Sequence, residues 1–232
     1  MTATLERRKE VLSLTREYDF IILEDDPYYY LYYGEAPRYP SYFSLELEEP
    51  EVGRVLRFDS LSKILSAGIR IGFATGPKVL LQAIDGHTAT SNLQTSSLTQ
   101  AIVWKLLDAW GYDGFEKHTE NVSAFYRSKR DVFERAMKKH LSGLAEWTPP
   151  EAGMFFWFKL LLGDDPTVEG DSQAVIREKA VERGVLALPG TVFLPNGRKT
   201  AYVRASFSLL DENEVDEAMN RLGKVVQDAR AA

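Results

Sequence analysis

The chain has 232 residues, 44% of them hydrophobic and 27% charged, which is ordinary for a folded protein with a sizeable core and unlike a disordered tail. A net charge of −6 gives no bulk attraction to nucleic acid or to an anionic membrane surface, so any anion must be held by a local arrangement. With no cysteine, disulfides, thiolate nucleophiles and cysteine-ligated metal centres are excluded.

The opening MTATLERRKE is polar and lacks the apolar stretch of a secretory signal, and a cytoplasmic location is the expectation. Leu5, Val11, Leu12, Leu14 and Tyr18 are spaced for one face of a first helix, and YDFIILED then reads as a short buried strand. A turn-rich segment with Gly34, Pro37 and Pro40 leads to a second strand, RVLRFD, and RIGFATGP reads as a third, ended by Gly76 and Pro77. From about residue 94 the pattern turns helical, with Leu98, Ile102, Leu106 and Trp110 on one face and Val122, Tyr126, Phe133 and Met137 on another. Beyond WTPPEAG, the runs MFFWFKL, GVLALPG and AYVRASFS read as strands around a helix near Ser172 to Arg183. The longest apolar run, GMFFWFKLLLG, is broken by Lys159 and too short to span a bilayer. A final helix carries Val215, Met219, Leu222 and Val226 on one stripe, opened by a capping box of Asp211 and Glu214. The pattern predicts an α/β first half, a smaller α+β second half and a long helix between them.

Few segments carry chemistry. His87, His118 and His140 are scattered and show no metal-ligand spacing, and no phosphate-binding glycine loop or nucleophile elbow is present. In EDDPYYYLYY, the carboxylates Glu24, Asp25 and Asp26 stand at the end of the strand FIIL, where open parallel sheets bind ligands. The same segment also reads as a strand followed by an acidic turn, with Pro27 fixing the bend and the tyrosines packing their rings. A second strand end, VLRFDS, leads to Ser60, Ser62 and Lys63, with Arg70 seven residues past the lysine. Two hydroxyls and a guanidinium in one loop suit an anion such as a phosphate, and an amine between them is placed to attack a carbonyl. The plainer alternative is a lysine at a helix start, reaching into water, with Ser60 as the cap. Arg204 interrupts an otherwise apolar or small strand, AYVRASFS, as a strand-edge arginine or as one awaiting a partner.

Together these segments resemble the fold type I aminotransferases that use pyridoxal 5'-phosphate. The resemblance rests on Asp-x-x-Tyr at Asp25 and Tyr28, Ser-x-Ser-Lys at Ser60 to Lys63, and Gly-x-Arg-x-Gly at Gly68 to Gly72. The wording IILEDDPYYYL, DSLSKILSAGIRIGFATGP and YVRASFS is similar to the subgroup of aromatic amino acid, 2-aminoadipate and kynurenine aminotransferases. The resemblance implies an α/β fold of the pyridoxal-phosphate transferase kind. Residues 1–125 would form part of a three-layer α/β/α large domain and 126–232 a small α+β domain.

It also implies roles. Lys63 forms the Schiff base with the cofactor and moves the substrate proton, Asp25 pairs with the pyridine nitrogen, and Tyr28 donates to the phenolic oxygen. Ser60, Ser62 and Arg70 take the phosphate, and Arg204 clasps the α-carboxylate of an amino acid whose amino group passes to a 2-oxo acid such as 2-oxoglutarate. Gly153 to Phe155 and the turn Pro189 to Phe193 line the pocket mouth. No metal is implied. The family's N-P-T-G motif and the aromatic ring that stacks on the cofactor do not occur in these residues. The expectation is therefore a fragment with weak activity alone that associates, as a homodimer or with a complementing N-terminal half, through an open sheet edge. A β-lyase using the same Lys63 and Asp25, and a catalytically silent interaction fragment, are the alternatives.

Overall fold

The computed structural model describes residues 2–163 and 170–231. The chain divides into two compact units, Thr2–Ser123 and Ala124–Ala232.

In the first unit, helix α1 (Leu5–Glu17) starts at Thr4, whose side chain accepts the Arg7 N–H. Its Leu12 packs with Leu45 and Val55 in a small core, flanked by Ile22 and Phe43. Strands β1 (Ile22–Asp25), β2 (Val55–Ser60) and β3 (Gly72–Thr75) form a sheet in the order β1-β2-β3. β1 runs parallel to β2 with Asp25 opposite Phe58, and β3 runs antiparallel with Gly72 opposite Ser60. The three strands read from the sequence are therefore present. Both outer strands lack a second neighbour among the described residues, and Leu23 on β1 and Phe73 on β3 stand 66% and 49% exposed. The segment before β2, read as turn-rich, contains a short helix α2 (Tyr42–Leu45) capped by Ser41.

Helix α3 (Lys78–Ser91) is invisible to the periodicity argument, and the reason is physical. None of its residues is buried, so it carries no apolar stripe demanded by a core. Helix α4 runs from Ser97 to His140 and is interrupted at Gly111, whose φ of 60° and ψ of −167° only glycine adopts without strain.

The second unit is built on an antiparallel sheet of β4 (Ala145–Trp147), β5 (Phe155–Leu160), β6 (Leu188–Pro189) and β7 (Tyr202–Ser206), in the order β4-β5-β7-β6. Alternation along β5 buries Phe156, Phe158 and Leu160, and Phe156 stacks on Phe133 with ring centroids 5.2 Å apart. Helix α5 (Ser172–Ala174) continues into a π-helical turn over Val175–Ala180. The closing helix α6 (Glu212–Arg230) buries Val215, Met219, Leu222 and Val226 and opens with the expected capping box of Asp211 and Glu214. GVLALPG yields only the two residues of β6, because Pro189 has no N–H to extend the ladder and Gly190 enters a 3-10 turn. β4, just before Pro149 and Pro150, is three residues long and too short to give an alternating signal.

What fixes the ends of β1 and β2 is a buried ion cluster. Glu24, 6% exposed, accepts the backbone N–H groups of Tyr42 and Phe43 at 2.9 and 3.2 Å. Arg57 Nη1 lies 3.2 Å from Glu24, near enough to pair but poorly aligned for a hydrogen bond, while its Nε and Nη2 bind Asp59 at 2.8 and 2.7 Å. Arg8 Nη1 stands 3.6 Å from the same carboxylate and donates to the Pro40 carbonyl. Burial works to lower the Arg57 pKa, but the hydrogen bonds of Asp59 and the charges of Asp59 and Glu24 outweigh it and raise the pKa above its ordinary value. Glu24→Ala would leave the Tyr42 and Phe43 amides without their acceptor and remove a buried counter-charge from Arg57 and Arg8. It should cost about 3–5 kcal/mol, read from urea unfolding; a loss below about 1 kcal/mol would show that the cluster does not hold the strand ends.

Candidate active site

Because β1 and β2 are parallel neighbours, their C-terminal ends lie side by side and deliver two loops to the same edge of the sheet. The first begins at Asp25. Its side chain is exposed and makes no hydrogen bond or ion pair among the described residues. Asp26 is half-buried, accepts the Tyr28 N–H, and has its pKa raised, chiefly by burial and further by Glu24, against the opposing pull of Arg57 and Arg8. The Leu31 N–H closes a turn on the Tyr28 carbonyl. The Tyr29 ring lies 4.5 Å from the Arg57 guanidinium and 4.0 Å from that of Arg38.

The second loop holds Ser60, Ser62, Lys63 and Arg70 together. Ser60 caps a 3-10 turn, Leu61–Lys63, by accepting the Ser62 N–H at 3.3 Å, so the cap and the phosphate role expected from the sequence would fall on the same hydroxyl. Ser62 is buried, and its Oγ receives Arg70 Nη1 at 3.2 Å. Arg70 takes a left-handed backbone, φ 50° and ψ 42°, and also donates to the Ala67 carbonyl. A non-glycine residue pays about 1–2 kcal/mol for that conformation. In this conformation the guanidinium reaches back to the Ser62 hydroxyl. The Leu61 N–H bonds the Ile71 carbonyl at 3.0 Å and closes the loop. Lys63 is half-buried, and its ammonium has no hydrogen-bond or ion-pair partner among the described residues.

In the second unit, Arg204 lies on β7 opposite Trp157, on the sheet face turned away from Phe156 and Phe158. Its guanidinium rests over the rings of Phe155 and Phe193, at 4.3 and 4.5 Å. Its Nε is buried without a hydrogen-bond partner, and no carboxylate of the described residues pairs with it. An unsatisfied buried N–H on a charged group is costly unless an anion meets it. Phe155 and Phe193, placed by the sequence at a pocket mouth, are thus the two rings that carry this arginine.

Sequence reasoning missed three contributors. Glu24 looked equivalent to Asp25 and Asp26, although strand alternation turns it inward. Arg57 passed as part of an apolar strand, and its signal was the Asp59 two residues on, along the same face. His118 showed no ligand spacing, yet its Nε2 lies 2.7 Å from the Ile64 carbonyl, beside Lys63.

The profile of the family described as "Aminotransferase class I and II" matches residues 1–222. The aminotransferase tdiD of Emericella nidulans is 44% identical over 227 residues, covering 97% of this chain and 51% of that protein. The mitochondrial kynurenine/alpha-aminoadipate aminotransferase of Rattus norvegicus is 42% identical over 228 residues, with 97% and 51% covered. The crystal structure of LysN, alpha-aminoadipate aminotransferase of Thermus thermophilus, superposes with a TM-score of 0.86 at 32% identity, over 97% of this chain and 55% of that one. It was solved with N-(5'-phosphopyridoxyl)-L-leucine, and class I and II aminotransferases are pyridoxal-phosphate dependent. The chain spans about half the length of the curated relatives it matches.

The raised pKa of Asp26 has a signed consequence. The folded chain holds that proton to higher pH than the unfolded chain, so this group's stabilising contribution is present below the ordinary aspartate range and is lost as pH rises through the raised value. Asp26→Asn, which keeps an acceptor for the Tyr28 N–H, should raise the unfolding temperature at pH 7 and lose that advantage near about pH 3. An unchanged or lowered unfolding temperature at pH 7 would contradict the burial argument.

Proposed function

We propose, because the chain belongs to the class I and II aminotransferases, that it carries the lysine-bearing part of a pyridoxal-phosphate site. The reaction is amino-group transfer between an aromatic or 2-aminoadipate-like amino acid and a 2-oxo acid, with 2-oxoglutarate as the acceptor. The observation that carries this reading is the loop in which Lys63, without a partner among the described residues, sits with Ser60, Ser62 and Arg70 at a parallel strand end beside Asp25.

The donor set fits the cofactor. Two hydroxyls and a charged fork are phosphate donors, an unpaired amine is a covalent anchor, and an exposed carboxylate at the neighbouring strand end is an acceptor for a protonated ring nitrogen. When bound, the cofactor supplies an electron sink that lets the Cα–H bond of an amino acid break. Lys63 Nζ would anchor it and, once displaced by the amino acid, would take the proton from the substrate Cα and deliver it to the cofactor's C4' carbon. Asp25 keeps the ring nitrogen protonated, and the Tyr28 hydroxyl donates to the ring oxygen. Ser60, Ser62 and Arg70 hold the phosphate. Arg204, with its Nε unsatisfied and its guanidinium close over two rings, presents a fork for the α-carboxylate of the amino acid. The names of the relatives support an aromatic or aminoadipate-like substrate, and a second copy or a complementing chain is proposed to supply the rest of the site.

Borohydride reduction of the protein with pyridoxal phosphate, followed by peptide mass analysis, should place the cofactor mass on Lys63 and nowhere in Lys63→Ala. With amino acids added, kynurenine, 2-aminoadipate or an aromatic amino acid should yield its 2-oxo acid, and Arg204→Gln should raise KM for the amino acid about a hundredfold, the loss of a buried charged pairing. Labelling at other lysines, or turnover indifferent to Arg204, would defeat the proposal.

A further inference from the structure

Helix α4 reaches both loops of the candidate site. His118 Nε2 lies 2.7 Å from the carbonyl oxygen of Ile64, the residue after Lys63 and 54 positions away in the chain. A carbonyl only accepts, so Nε2 carries the proton, and it does so in the neutral ring of that tautomer and in the imidazolium alike. Five residues along the helix, the Ser123 hydroxyl donates at 3.0 Å to the carbonyl of Tyr30, two residues past Tyr28.

The His118 ring is itself held. Trp110 stacks on it with centroids 4.8 Å apart and planes 30° from parallel. That contact spans the helix break at Gly111, and it needs Gly114, where a Cβ would meet the Cβ of Trp110 at 2.8 Å. The Ile64 carbonyl belongs to a residue only 4% exposed, at the end of the turn that presents Lys63. Without His118, that carbonyl loses this donor in a buried setting, and the turn keeps the Ser60 cap and the Leu61–Ile71 bridge at its other end.

We propose that His118 is a positioning residue for Lys63: its hydrogen bond to the Ile64 carbonyl, braced by Trp110, fixes the exit of the turn from which the lysine projects. The role of Lys63 rests on the function proposed above; the clamp is a property of the loop itself. Two substitutions separate the bond from the ring. His118→Phe keeps an aromatic ring against Trp110 and loses the donor, whereas His118→Gln keeps an N–H donor and loses the ring.

Hydrogen exchange of the amides in residues 60–66, measured without cofactor, reads the clamp directly, and titration with pyridoxal phosphate reads its consequence. In His118→Phe, exchange in this segment should speed about tenfold and cofactor affinity should fall about tenfold, with exchange in α1 unchanged. His118→Gln should stay within about threefold of the wild type in both readouts. Wild-type exchange in His118→Phe, or a Gln variant as impaired as the Phe variant, would overturn the assignment. If the wild type binds no pyridoxal phosphate, the functional reading fails, and the exchange data still decide for or against the clamp.

Discussion

The first unit depends on the pairing of Arg57 with Glu24 and Asp59 in a place where water cannot help. Three charged side chains lie below 10% exposed on adjacent parallel strands, and Arg8 closes the group from α1. Such a cluster returns little net stability over an apolar core of equal volume, because desolvation consumes most of the Coulombic gain. What it provides is definition. Glu24 ties β1 to the start of α2 through two backbone amides, and Arg57 ties β1 to β2 just before the loop that carries Ser60 begins its turn. Asp25 directly follows Glu24 on β1 and Ser60 directly follows Asp59 on β2, so the geometry of the candidate site is inherited from the buried ion cluster.

Several of the candidate site groups, by contrast, are left unpaired. Lys63 and Asp25 have no internal partner among the described residues, and Arg204 keeps a buried N–H unsatisfied. Folding alone would favour satisfying these groups, and Arg70 adds the cost of a left-handed backbone. Costs concentrated at one loop and one strand position, while neighbouring charges are matched, support the proposal that these groups meet a ligand.

The sequence showed some of this clearly. The run VLRF announces a buried strand, and Asp211 with Glu214 announces a helix start, because local residue type and local structure agree. FIIL also reads as buried, yet Phe20, Ile21 and Leu23 are exposed, on or just before a strand at the edge of the sheet. The resemblance added the roles. Other features lay beyond a linear reading. Three consecutive acids, Glu24, Asp25 and Asp26, look alike in the chain, and only the pleat of the strand and the following turn send one into the ion cluster, one to the surface and one into partial burial. Helix α3 has no buried face to create a periodic signal. The tie from His118 to the Lys63 loop joins segments 54 residues apart, a relation that no spacing rule encodes.

The central claim is that the loop of Ser60, Ser62 and Arg70 receives the phosphate of a pyridoxal cofactor. Phosphorus-31 NMR of pyridoxal phosphate with the protein addresses it directly, since the nucleus reports its own hydrogen bonds and charge environment. The account predicts a bound resonance distinct from that of the free ligand, and its loss in Arg70→Ala. A resonance that stays at the free position, or one that is the same in the wild type and Arg70→Ala, would contradict it.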